Sequence, residues 1–138
     1  MKKLLSVLLL AVLVIGLTVS SASAVSFTKT LSCTSTSDSN LTALGGLWTA
    51  SSTQKGKVYV YHTVSGVTEK YTNRFAAYSG SSQLGIKWCT PGSNVPIESS
   101  SIVDGTPVTL KARGNTNYNT MSPYVSTITV SGTYGWPL

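Results

Sequence analysis

The sequence predicts an all-β protein: a single antiparallel β-sandwich of about seven to eight strands, following a cleaved export segment. Three observations carry this. Beyond residue 24, Ser and Thr dominate together with Val, Tyr and Gly, while helix formers in a 3.6-residue spacing are scarce. Several segments alternate apolar and polar residues with a period of two, the pattern of a strand with one face packed and the other in water. Gly, Pro, Asn and Asp punctuate these segments at intervals of roughly 8–15 residues, which suits many short strands rather than a few long elements.

The elements follow in order. Residues 25–34 alternate Val25, Phe27, Lys29, Leu31 and Cys33 against an all-hydroxyl set, Ser26, Thr28, Thr30 and Ser32. The polar stretch 34–40 reads as a loop, and Asn40-Leu41-Thr42 fits an N-glycosylation pattern that arises easily by chance in a Ser/Thr-rich chain. A short strand at 47–53 follows the Gly45-Gly46 turn. The strongest strand spans 57–68, with Val58, Val60, His62 and Val64 on one face and Tyr59, Tyr61 and Thr63 on the other. Strands at 71–79 and 83–90 flank a turn at 79–82, and the second carries Leu84, Ile86 and Trp88 on one face. After the turn at 91–94, residues 95–103 make an edge strand, because Pro96 has no N–H to give a ladder. Asp104-Gly105 is a hairpin signal. Strands at 106–113 and 124–134 are expected to pair across the polar loop 114–123, and the second alternates Val125, Thr127, Thr129 and Ser131 against Ser126, Ile128 and Val130.

Export is read from the N-terminus. Met1-Lys2-Lys3 is a short cationic start, and residues 4–17 form an apolar run of 14 residues, broken by Ser6 and Gly16. That is shorter than the ~18–20 residues of a membrane span. Ala22-Ser23-Ala24 offers the small side chains that signal peptidase accepts, so cleavage is expected after Ala24 and the mature domain is 25–138. The alternative is an uncleaved anchor. No cysteine lies near the site to carry a lipid, and no later stretch is apolar enough to cross a bilayer. A secreted, extracellular protein is therefore expected. The mature part keeps 8 basic and 4 acidic residues, a mild positive bias. It favours anionic envelope polymers and is far from a nucleic-acid-binding tract.

Cys33 and Cys89 are the two cysteines, and in an oxidising compartment one disulfide is expected between them. It would close a loop of about 57 residues and contribute roughly 4 kcal/mol. Two thiols and one histidine make a poor zinc site. Cys33, Trp48 and Cys89 also fall in the order of the Cys…Trp…Cys core of immunoglobulin domains. Lys87, however, stands where that pattern has a tyrosine, and 49 residues follow Cys89, so a generic sandwich is the reading.

Catalytic groups are few. Asp38, Glu69, Glu98, Asp104 and His62 are the mature chain's acids and its histidine, each explained by a turn, a strand flank or a half-buried structural role. There is no nucleophile elbow, no HExxH and no phosphate-binding glycine loop, so no enzyme activity and no cofactor are expected. Aromatic residues are the remaining asset. Tyr59, Tyr61 and Thr63 form an outward strip suited to stacking on sugars or meeting a partner, or simply an ordinary strand surface. Asn117 and Tyr118, in the loop 114–123, form a second candidate contact.

The run Val108-Thr109-Leu110-Lys111-Ala112-Arg113-Gly114-Asn115, followed by Ile128-Thr129-Val130-Ser131-Gly132-Thr133-Tyr134-Gly135-Trp136-Pro137, resembles the ending of small secreted bacterial proteins of unknown function. In them a final strand closes with a V-S-G-aromatic pattern. The resemblance covers about a third of the mature chain. It implies a secreted β-sandwich and carries over no functional residues. The expected function is a non-enzymatic protein that binds polysaccharide or envelope polymer, or a protein partner, at the cell exterior. A bacteriocin-like toxin or enzyme inhibitor is the alternative, and an exported hydrolase comes third.

Overall fold

In the computed structural model, which describes residues 24–136, two antiparallel sheets pack face to face. The export segment therefore lies outside the described residues, Ala24 excepted. The strands are β1 (Val25–Ser32), β2 (Thr42–Ala43), β3 (Trp48–Thr49), β4 (Lys57–Ser65), β5 (Asn73–Ser79), β6 (Ser82–Cys89), β7 (Val95–Glu98), β8 (Pro107–Arg113) and β9 (Thr127–Gly135). One sheet runs β1-β9-β4-β7. The other runs β2-β8-β5-β6, with β3 also on β8. The all-β sandwich expected from the sequence is the fold. Among the described residues no helix is long and apolar enough to cross a membrane.

Period-two patterning decides which side of each strand is buried. In β4, Val58, Val60, His62 and Val64 are buried while Tyr61, Thr63 and Ser65 are exposed. In β9, Ile128, Val130 and Tyr134 are buried, and in β1, Phe27 and Leu31. Phe75 and Ala77 of β5 and Val108, Leu110 and Ala112 of β8 close the core from the opposite sheet. Lys29 occupies an inward register position on β1 yet is exposed. It lies on an edge strand, where a long side chain reaches water and discourages pairing with another chain.

Pairing differs from expectation at three places. β8 and β9 do not pair; β8 lies between β2 and β5, and β9 between β1 and β4. The Asp104-Gly105 turn joins β7 of one sheet to β8 of the other, so it is an arch and not a hairpin. The Gly45-Gly46 turn interrupts one broken edge strand, since β2 and β3 pair successive parts of β8 and Leu44 N donates to Leu110 O between them. The two-residue hairpin is β5–β6. Ser79 faces Ser82, and Gly80 takes φ +60° ahead of Ser81, whose φ is not positive, which is the type II′ pattern. β7 is an edge strand, as Pro96 requires.

The expected disulfide is not formed: Cys33 and Cys89 are both buried and free. Strand order is the reason. Cys89 is paired with Asn73 on one side of β5. Arg74 meets Arg113 on the other side, and Cys33 packs against Gly114, the next residue. Two strand spacings, about 10 Å, thus separate Cys89 from Gly114. A disulfide tolerates Cα atoms only about 7 Å apart.

Candidate functional site

β4 carries Tyr59, Tyr61 and Thr63 outward because its valines are drawn into the core, and successive side chains of a strand point to opposite faces. The neighbouring strands extend this face. Tyr61 stands opposite Thr133, Thr63 opposite Ser131 and Ser65 opposite Thr129. Beyond β9, Thr133 faces Ser26, Ser131 faces Thr28 and Thr129 faces Thr30. Three strands therefore present rows of hydroxyls with a tyrosine at the end of one row. Some hydroxyls engage each other or the backbone: Thr28 Oγ1 and Ser131 Oγ are 3.1 Å apart, and Thr63 Oγ1 donates to Ser131 O at 3.3 Å. These rows hold no charged residue. Lys57 and Glu98, paired in register, sit at the β4–β7 end of the sheet.

The tyrosines differ in what they offer. Tyr61 is exposed and free of an aromatic neighbour among the described contacts. Tyr59 is half-buried, edge-on to Trp136 with ring centroids 5.4 Å apart and the Lys57 ammonium 5.6 Å from its ring centre. Thr63 is exposed. Of the second candidate pair, Asn117 is exposed, but Tyr118 is fully buried. The loop does not extend as a polar hairpin. A short 3-10 helix, Thr116–Thr120, folds Tyr118 back onto the end of the core. Its hydroxyl accepts from Tyr71 N at 2.7 Å and donates to Tyr71 O at 3.2 Å. Tyr118 is thus a structural anchor and presents no ring to solvent.

His62, read as half-buried, is fully buried behind the tyrosine strip. Asn73 Nδ2 donates to its Nε2 at 3.1 Å, and Phe75 packs on the ring with centroids 4.8 Å apart. Burial lowers its pKa to about 4, so the ring is neutral at physiological pH. Burial likewise raises the thiols of Cys33 to about 11 and of Cys89 to about 12, which leaves both protonated and unreactive.

A second outward cluster was not legible as such. Trp88, 39% exposed on β6, lies beneath two guanidinium groups, Arg74 at 5.2 Å and Arg113 at 5.0 Å from the ring centre. Asp38 bridges both, at 3.2 Å and 3.0 Å. Arg113 also donates to Ser35 O and Thr36 O, which ties the polar loop 34–40 to the sheet. Burial by itself would raise the Asp38 carboxyl, but hydrogen bonds and charge from Arg74 and Arg113 outweigh it and hold the group below the usual carboxylate range. Asp38 offsets one of the two positive charges, and the cluster fastens the loop 34–40 to the sheet. The only sequence signal for it was the period-two placement of Arg74 and Trp88, and their neighbourhood depends on register.

The chain matches no family model, no curated protein and no solved structure. The site is therefore read from its own chemistry. Among the described residues, no group of three His, Cys, Asp or Glu side chains is placed to hold a metal ion.

Proposed function

We propose that the protein acts outside the cell as a non-enzymatic binding protein for a neutral polysaccharide of the cell exterior, through the outer face of the β1-β9-β4-β7 sheet. The observation that carries this reading is the set of charge-free hydroxyl rows that β1, β9 and β4 form together, with Tyr61 at their end and Tyr59, beside Lys57, beyond it. Hydroxyls both donate and accept, as sugar hydroxyls do, and an exposed tyrosine ring stacks on the apolar face of a pyranose. An open sheet face, unlike a concave pocket, suits an extended chain better than a small molecule. The uncharged centre favours a neutral polymer over an anionic one, so the mild positive charge of the chain is not the recognition element. Export rests on the cationic start, the 14-residue apolar run and the Ala22-Ser23-Ala24 site.

Co-sedimentation with insoluble polysaccharides, cellulose and chitin and purified cell walls, tests the proposal. The protein should pellet with at least one of them, and a Tyr59→Ala/Tyr61→Ala variant should remain in the supernatant. Equal partition of the two proteins removes the proposal. Both tyrosines point away from the core, so the variant is expected to keep its fold.

A further inference from the structure

At the end of the sandwich where β4 passes to β5, a cavity of about 270 Å³ opens between two connections. Thr68, Glu69 and Tyr71 line one wall, and Thr120, Met121 and Ser122 the other. We propose that this cavity binds a single neutral sugar unit, such as the end of a saccharide chain. The inference does not depend on the sheet face and concerns a separate site.

One wall is anchored at Tyr71, while Thr68, Glu69, Thr120 and Ser122 stand exposed at the rim. Tyr118, fully buried, holds the backbone of Tyr71 at both its N–H and its carbonyl. Asn115 holds the next residues: its Nδ2 donates to Thr72 O at 2.9 Å, and its N–H donates to Asn73 Oδ1 at 3.2 Å. The two connections are therefore laced together behind the cavity, at Tyr71–Asn73, which lowers the ordering cost at that wall.

The lining selects the ligand class. Tyr71 Oη donates to Glu69 Oε2 at 2.5 Å, which orients the carboxylate and leaves Oε1 free to accept. Thr68, Thr120 and Ser122 add hydroxyls that donate or accept. Met121 and Tyr71 are the apolar members of a lining that is otherwise polar. An anion would meet the Glu69 charge with no cation in the lining. A metal ion would find a single carboxylate, where hard cations take several oxygen ligands. A compact ligand with several hydroxyls satisfies the set, and the volume suits one ring rather than a chain.

Amide chemical-shift mapping on the isotope-labelled protein, titrated with glucose, galactose and N-acetylglucosamine, tests the proposal, with methylammonium as a cation control. At least one sugar should shift residues 68–71 and 120–122. Glu69→Ala, at an exposed position, should weaken that binding at least tenfold. Tyr59→Ala/Tyr61→Ala should leave it unchanged, so failure of the sheet-face reading and failure of this one are told apart. Absence of shifts with every sugar at tens of millimolar overturns the proposal. So does binding retained in Glu69→Ala, or a response to methylammonium alone.

Discussion

His62 shows how a single side chain sets the acid tolerance of the fold. Its Nε2 accepts from Asn73, and Asn73 in turn accepts from the backbone of Asn115, so one buried network joins β4, β5 and the loop after β8. Burial lowers the folded-state pKa to about 4, below the ordinary value of 6.5. The unfolded chain therefore takes up a proton first as pH falls. Stability is complete above pH 6.5 and declines between pH 6.5 and 4, by roughly 3 kcal/mol in total. Denaturant unfolding of the wild type against His62→Gln across that range should show a flatter pH profile in the variant. Identical profiles would assign the acid sensitivity elsewhere. Asp38 is the second residue with a distinct role. Asp38→Ala leaves two guanidinium groups without their carboxylate and, because Asp38 is more than a third exposed, should cost about 1 kcal/mol in thermal unfolding, with faster proteolysis within residues 34–40. Only the first role was partly visible in the sequence: His62 fell on the apolar side of an alternating strand, but the partners Asn73 and Asn115 could not be read from spacing, and Asp38 read as a residue of a polar loop.

β9 is the element on which the first sheet depends, because it is paired along its length with both β1 and β4. Gly132 lies at its centre, opposite Phe27 and His62. A Cβ there would collide with the Tyr61 carbonyl oxygen and crowd His62 Cα, which are backbone atoms without freedom to move. Gly132→Ala should therefore separate β9 from β4. Loss of a cooperative melt or a large drop in midpoint is expected, whereas Gly92→Ala meets open space and is strained only by its φ of +79°, so it should cost less. Strand positions along the chain were largely readable, since alternation reports which side faces the core. β2 was not, because its two residues interrupt nothing apolar, and only β8 beside it makes a strand of them. The loop 114–123 was misread as a polar hairpin for a related reason. Tyr118 among asparagines and threonines resembles a surface ring until the buried site that receives it is known.

At the scale of the molecule, the two cysteines test the strand order. Both thiols are enclosed and held protonated by burial, Cys33 to about 11 and Cys89 to about 12. A thiol reagent at pH 8 should leave the native protein unlabelled and should titrate two thiols after unfolding. A reductant should not change the melting temperature; a fall on reduction would reveal a disulfide and a different arrangement of edges. The sequence by itself determined the all-β class, the inward and outward sides of β1, β4 and β9, the edge character of β7 and the outward Tyr/Thr strip, because each follows from local alternation or from proline's missing donor. The tertiary structure alone decided which strands are neighbours. Six of the eight connections cross between sheets, and crossing loops impose no register on the strands they join, so pairing is settled mostly by packing between residues far apart in the chain. That is why the hydroxyl sets of β1 and β9, each legible alone, became one surface with Tyr61 only after folding, and why Cys33 and Cys89, matched by composition, came to rest apart.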